Sequence, residues 1–441
     1  MPLDEAGRRA SAALTALGLR AKLADAGDGR DPTAWWCRLL GGAGDPEPVA
    51  CGMGKGRPDE ARVGALFEAV EHYLTGPAGF DPAAVRSVSP AALATGPLRG
   101  DACALLLAGT PGRRMACLRY RPLDGPPLPR RRGDALVPLF LSAPWYAEAG
   151  AAPLRELAGD DCDYADLMRY SCNSGSAVGI TAAEALLHAL NEAVERDALS
   201  LLLVRAFLGG DGFRLRLIDP GTLPHRLARA YATAQELTGS PVHLLDITSD
   251  LGVPTMLAYT APTDRRPHRR GGGTSLDPAY AAWRALTELV QSTLGEGLRR
   301  SGVVRGDLAG RAARSGAARG DLAGLAAHPA LHACGRFDLT GALREARVVP
   351  FPEAGAAAGA PGAQLRKVTA TLAARGHPAY HRMVRVLPCG ITAVHVIVPD
   401  LERFMLVTDG NLVLPGRRGL AAAAGRVSES MPQDWRPPSM R

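Results

Sequence analysis

Alanine, leucine and valine frame a recurrent glutamate at three distant places in this chain. ALFEAVEHY (65–73), ALNEAVERD (189–197) and, more weakly, ALTELVQST (285–293) share the pattern A-L-x-E-(A/L)-V-(E/Q). The intervals are far too long for a solenoid. Each copy lies in the body of a helix whose start is well signalled. GMGKG (52–56) leads into Pro58, Asp59 and Glu60 and predicts a helix through Leu74. GSAVGI (175–180) leads into Thr181 and Glu184, a capping-box spacing, and a helix to about Phe207. GGGTSL (271–276) leads into Asp277 and Pro278, a cap residue followed by proline at the first helical position, and a helix to about Leu298.

Between these helices lie apolar runs with the length of strands: ACALLLAG (102–109), MACLRYRPL (115–123), VHLLDIT (242–248), VPTMLAYT (253–260), AYHRMVRV (379–386) and ITAVHVIVP (391–399). Residues 1–45 read as a helix, a strand around Trp35 to Leu40 and a glycine turn. The pattern predicts a mixed α/β (α+β) protein with a main domain over 46–415 and an extended tail over 416–441. Within that domain the Gly/Ala/Arg-rich segment 304–330, with RGDLAG at 305–310 and 319–324, reads as a surface elaboration. AGAAAGAPGA (354–363) reads as a flexible linker or loop.

Composition narrows the picture by exclusion. No run approaches the roughly 20 apolar residues of a membrane span, and the longest, Leu199 to Leu208, is broken by Arg205. The N-terminus has no apolar segment bounded by a cleavage site, so no secretory signal is expected. Eight scattered cysteines without a C-x-x-C pair argue against a zinc ribbon, a redox motif or a disulfide framework. These features predict a cytoplasmic protein with reduced thiols. The net charge of +7 is mild and carried by arginine, in PLPRRRGD (127–134), DRRPHRRGGG (264–273) and 300–320. Arginine clusters suit phosphates, carboxylates or an acidic peptide. With 5% aromatics and no stacking motif, no nucleic-acid partner is expected.

On a helix, positions three apart share a face, so Glu68/Glu71 and Glu192/Glu195 are same-face carboxylate pairs. A lone E-x-x-E is ordinarily a solvated surface. Two copies plus Glu288 and Gln291 in the third, each after a glycine segment, point instead to a shared positive occupant. Mg²⁺ takes oxygen ligands and usually keeps phosphates and waters in the rest of its shell. Arg284, one turn before Glu288, suits a polyphosphate held with that metal. Lys55 resembles a phosphate-contacting lysine, although its spacing is not that of a Walker loop. Asn191 and Asp197 flank the second pair and fit helix-surface polar residues equally well. No G-x-S-x-G elbow, H-E-x-x-H or protein-kinase signature set is present. HPALH (328–332) and HPAYH (377–381) carry an internal proline, which argues against helical histidine metal sites.

SCNSGSAVGITAAEALLHALNEAVERDALS (171–200) resembles the central signature of YcaO-domain proteins. GMGKGRPDEARVGALFEAVEHY (52–73) and GGGTSLDPAYAAWRALTELVQS (271–292) are similar to that family's first and third motif helices, in the same order. The resemblance spans about 45–415. It implies a YcaO-type fold with internal pseudo-symmetry and a nucleotide site unlike a Walker or ATP-grasp site. It also implies ATP- and Mg²⁺-dependent activation of a peptide backbone amide. A nucleophile adds to the amide carbon, the oxyanion takes the γ-phosphoryl group, and phosphate leaves with the former amide oxygen. The products are azolines, thioamides or amidines, with azoline-forming cyclodehydration the first expectation.

Carried over by motif match, Glu68, Glu71, Glu192 and Glu195 become metal-side carboxylates. Asn191, Arg196, Arg284, Glu288 and Gln291 line the nucleotide, with Lys55 and Ser174 near phosphates and Glu192, Glu195 and Arg284 catalytic. Gly64 and His72 stand where the family commonly has serine and arginine. MPQDWRPPSMR departs from the P-x-P-x-P ending of many azoline-forming members, which turns attention to thioamidation or another amide chemistry. The implied partners are a precursor peptide and a separate leader-binding or TfuA-like protein, with a homodimer left open. A catalytically silent peptide- or partner-binding subunit is the expectation from another class.

Overall fold

The computed structural model describes residues 2–42, 47–123, 133–209, 212–264, 266–300, 329–353 and 359–423. Among them, fourteen strands form three sheets. β1 (Arg20–Asp25), β2 (Thr33–Leu40) and β3 (Pro48–Gly56) make an antiparallel three-stranded sheet. The N-terminal segment and the first glycine motif therefore share one sheet. A five-stranded sheet runs β11 (Arg269–Thr274), β10 (Thr255–Thr260), β9 (His243–Asp246), β8 (Arg216–Ile218) and β12 (Arg347–Val349), with only the β8–β12 pair parallel. The six-stranded sheet is antiparallel and runs β4 (Arg86–Val88), β5 (Met115–Pro122), β13 (Tyr380–Val386), β14 (Thr392–Ile397) and β7 (Ser176–Gly179). β6 (Ala135–Pro138) pairs with β5.

The three motif helices run Pro58–Thr75, Ala182–Leu203 and Pro278–Arg300. Their starts follow the signals in the sequence. Thr181 accepts the Glu184 N–H at 3.2 Å, and Asp277 accepts the Ala279 N–H at 2.9 Å. Each helix packs on the glycine-bearing strand just before it: β3, β7 and β11 respectively. The first helix also touches β7, the second touches β11, and the third touches β3, so the three strand–helix units close on one another in a ring.

Apolar burial holds the ring. The third helix buries Leu286, Leu289 and Val290 against Leu244 and Met256 of the five-stranded sheet. The far end of the second helix buries Leu199, Leu202 and Leu203 among Tyr120, Phe140 and Phe404. Each such side chain contributes about 1.5–3 kcal/mol.

Two expectations are corrected. ACALLLAG forms a helix, Ala104–Gly109, rather than a strand. It has no β-branched residue, alanine and leucine favour helix, and Asp101 accepts the Cys103 N–H at its start. Residues 417–422, read as part of an extended tail, form a short helix, Arg417–Ala422, held by ion pairs described below. Most of the 304–330 segment, part of the 354–363 segment and residues 424–441 lie outside the described residues.

Candidate active site

The glycines of the three motifs permit close strand-to-helix approach. A Cβ at Gly52 would collide with the Ala69 nitrogen, one at Gly54 with the Ala61 carbonyl, and ones at Gly271 and Gly273 with the Ala285 and Ala281 carbonyls. Only glycine lets these strands lie on the helix that follows. The close packing brings Lys55, at the end of β3, against Glu288 of the third helix as an ion pair. Gln291 donates from its side-chain amide to the Met53 carbonyl, which ties the third helix to β3.

From the second helix, Glu192 accepts Arg196 Nη2 at 3.2 Å on one oxygen and the Gly175 N–H at 3.2 Å on the other. Glu195 is buried, with its carboxylate against Gly272 of β11. From the first helix, Glu71 comes beside the Val178 backbone of β7. All three helices thus direct charge into one cleft.

The charges there are under stress. Burial pushes the Glu71 carboxyl well up, and the neighbouring Glu192 and Glu68 push it further. Glu195 is raised by burial and by Glu288, against the opposing pull of Arg196, Lys55 and Arg284. Burial also works against ionised Glu288, but Lys55 and Arg196 outweigh it and hold that carboxylate low. Lys55 is lowered by burial in spite of Glu288, with Arg284 adding to the effect. Arg284 feels Glu288, Glu195 and Glu192 together. The cleft is a patchwork in which acids from one helix answer bases from another.

Two observations bear on whether this patchwork fits a metal–nucleotide pair. Asn191 Oδ1 and Arg196 Nε are buried without a hydrogen-bond partner, an acceptor and a donor left open beside Glu192 and Glu195. Among the described residues, no group of three or more His, Cys, Asp or Glu stands ready to hold a metal by itself. The carboxylates beside the open Asn191 Oδ1 are oxygen ligands of the kind Mg²⁺ takes, alongside phosphate and water. The donor set fits.

Most residues named from the sequence meet here, but some take other work. His72 donates Nδ1–H to the Cys51 carbonyl at 2.6 Å, fastening the first helix to β3. Gly64 lies over Gly54, beside Lys55. Ser174 offers its backbone carbonyl to His395 at 3.1 Å. Asp197, which fits a site-flanking or a helix-surface polar residue equally well by sequence, is fully buried. It accepts Arg418 Nε at 2.7 Å, Arg418 Nη2 at 3.0 Å and the Glu402 N–H at 3.0 Å. Arg418 also reaches Asp250.

Sequence reasoning missed His188, one turn before Glu192 on the same helix face. It is exposed, and the nearby cations Arg284 and Lys55 work against its protonated form. HALNEAVE carried the signal, a histidine in phase with the glutamates. His377 precedes β13 and His381 lies on it, so HPAYH is no helical ligand pair.

The family model for the "YcaO cyclodehydratase", described as ATP- and Mg²⁺-binding, matches residues 53–402. This chain belongs to the YcaO family. The cofactor expectation of ATP and Mg²⁺ stands with it.

Among solved structures, the fold resembles YcaO from Methanopyrus kandleri bound with AMPPCP and Mg²⁺. The TM-score is 0.60 and identity 18%, over 99% of this chain and 96% of that one. It also resembles the E. coli microcin synthetase McbBCD complex with pro-MccB17 bound, with TM-score 0.55 and 10% identity over 86% and 88% of the two chains. At these identities the likeness concerns the fold. An uncharacterized protein in the tfuA 3′ region of Rhizobium leguminosarum bv. trifolii is 35% identical over 130 residues, 28% of this chain and 30% of that protein. One from Methanothermobacter thermautotrophicus (strain Delta H) is 36% identical over 129 residues, 28% and 31%. The matched stretch thus spans under a third of each curated relative. Among the described residues, no helix is long and apolar enough to cross a membrane, and all eight cysteines are free.

Proposed function

We propose that this protein uses ATP and Mg²⁺ in the cytoplasm to activate a backbone amide of a ribosomally made peptide, as a modifying enzyme rather than a silent binding subunit. The observation that carries this reading is the convergence of Glu71, Glu192, Glu195, Arg196, Arg284, Lys55 and Glu288 from three distant motifs into one electrostatically coupled cleft. A silent scaffold has no use for carboxylates crowded into a half-buried cleft.

When bound, ATP supplies the phosphoryl group that turns the amide oxygen into a leaving group, with Mg²⁺ neutralising the triphosphate. Glu68, Glu71, Glu192 and Glu195 would hold the metal side, with Asn191 Oδ1 as a neutral acceptor beside them. Lys55, Arg196 and Arg284 would take the phosphate charge, and Glu288 keeps Lys55 in place between β3 and the third helix. Their fixed positions stabilise charge as it develops on the transferring group.

Three nucleophiles remain in view, an amine, which gives an amidine, and two that the comparisons support. A Cys, Ser or Thr side chain of the peptide gives an azoline, and the cyclodehydratase description of the family supports that product. An external sulfide gives a thioamide, supported by the relative in a tfuA 3′ region, which also suggests a TfuA-like partner. Incubation of protein, ATP, Mg²⁺ and candidate peptides, followed by mass spectrometry, separates the two. Loss of one water marks ring closure or amidine formation, and exchange of oxygen for sulfur marks thioamidation. No ATP consumption with any peptide or partner would overturn the enzyme reading.

A further inference from the structure

We propose that His395 and Tyr120 form a relay that positions Glu192 from behind, through a single peptide group. His395, on β14, is buried. Its Nε2 lies 3.1 Å from the Ser174 carbonyl, and its Nδ1 lies 2.9 Å from the Tyr120 hydroxyl on β5. A carbonyl can only accept, so Nε2 carries the proton, and the Tyr120 O–H must then donate to Nδ1. Tyr120 is itself buried and meets the imidazole edge-on, with ring centroids 5.5 Å apart. The tautomer is thus set by two fixed partners.

The Ser174 carbonyl and the Gly175 N–H belong to the same peptide plane. That N–H donates to Glu192 Oε2 at 3.2 Å. A donor on the carbonyl side polarises the peptide and strengthens the N–H as a donor on the other side. The plane is also held mechanically. Gly175 has φ +90°, a conformation that disfavours other residues, and an added Cβ would collide with the Val396 carbonyl. The Gly175 carbonyl in turn accepts the Val396 N–H at 2.8 Å. β14 therefore grips the loop at both ends of Gly175 and aims one N–H at one carboxylate oxygen.

Arg196 fixes the other oxygen of Glu192, at 3.2 Å. The acid is held from two sides before any ligand arrives. Outer groups of this kind, which orient a metal-holding side chain without touching the metal, typically alter metal affinity about ten- to hundredfold when removed. His395 and Tyr120 are positioning residues by this geometry. They lie outside all three repeated motifs.

The inference rests on Glu192 being a metal-side carboxylate, so its test has one arm that needs no nucleotide. In protein labelled with ¹⁵N-glycine, Glu192→Gln identifies the Gly175 amide resonance by its upfield move. His395→Leu is expected to move the same resonance the same way. His395→Gln, whose amide nitrogen can reach the place of Nε2, should restore most of the shift. Tyr120→Phe should give a smaller displacement.

The second arm titrates Mg²⁺ with AMPPCP into each variant. His395→Leu is expected to weaken binding about tenfold or more, with His395→Gln recovering most of it and thermal melting showing each variant folded. A Gly175 resonance unmoved in folded His395→Leu would overturn the relay whatever the nucleotide does. So would wild-type affinity for Mg²⁺ and AMPPCP in that variant. If the wild type binds no Mg²⁺–AMPPCP while the resonance shifts as described, the relay stands as a device orienting Glu192 and the nucleotide reading falls.

Discussion

The second motif helix presents buried charge on two faces, and the two are built differently. On one face Glu192 and Glu195 enter the cleft, where carboxylates crowd, Glu71 and Glu195 are pushed up, and Asn191 Oδ1 and Arg196 Nε have no partner. On the other, Asp197 is fully enclosed and answered by Arg418 through two hydrogen bonds and by the Glu402 backbone through a third. Ser200, one turn on, accepts the Met405 N–H at 2.9 Å. One face is saturated and the other is short of ligands. Buried charge alone does not mark a functional site; buried charge with open valences does.

The sharpest way to break the comparison is to open the closed face. Arg418→Ala leaves Asp197 buried without its cation, and an expected loss of about 3–5 kcal/mol should appear in urea unfolding. A loss below about 1 kcal/mol would mean that the 401–423 segment is held by packing instead. Replacing both partners, Arg418→Met with Asp197→Leu, should recover much of that stability, since a buried pair replaced by apolar groups is often neutral.

Next comes the open face. Glu192→Gln and Glu195→Gln should each cut ATP turnover by about a hundred- to a thousandfold, measured as phosphate release, while leaving the fold intact. The contrast matters more than either number: stability is lost on the saturated face and turnover on the unsaturated one.

Acid titration gives a third test. His395 is lowered to about 3 by burial, with Arg403 and Arg382 adding to the effect, whereas an unfolded histidine titrates near 6.5. The unfolded chain therefore binds the extra proton first. This group's contribution to stability is complete above about pH 6.5 and is lost as pH falls toward 3. Between pH 6 and 4 the slope from this one group is about 1.4 kcal/mol per pH unit. His395→Gln should flatten that limb in a series of denaturant midpoints, and an unchanged slope would remove His395 from the account.

The smallest effect concerns Glu71 of the first helix. Because the folded state raises the Glu71 carboxyl, ionisation works against folding once pH exceeds the unfolded value near 4.5. Glu71→Gln should then stabilise the ligand-free protein by about 1 kcal/mol at neutral pH and by nothing near pH 4. Destabilisation at neutral pH would show that the carboxylate is satisfied.

Much of this architecture was legible because its signals are local. Caps, prolines and the repeated A-L-x-E frame fixed three helix starts and put Glu68, Glu71, Glu192, Glu195, Arg284 and Glu288 in phase. The motif glycines were legible only as segments ahead of each helix; the close strand-to-helix approach they permit is a tertiary feature. ACALLLAG misled because a short apolar run has no period of its own, and Ala/Leu content with Asp101 as a cap decided for helix. Asp197 was readable only as polar, since Arg418 and Asp250 lie far along the chain and meet it through the tertiary fold. The Tyr120–His395–Ser174 relay was hidden for the same reason. It depends on β5, β13, β14 and β7 lying in one sheet and on a left-handed Gly175, neither of which leaves a local mark.

The central claim is that three distant helices build one Mg²⁺–nucleotide site. Calorimetric titration of AMPPCP with and without Mg²⁺, into wild type and into Glu71→Gln, Glu192→Gln and Arg284→Ala, tests it most directly. We predict Mg²⁺-dependent binding in the wild type, weakened in all three variants. Wild-type affinity in a variant from any one helix, or binding indifferent to Mg²⁺, would contradict it.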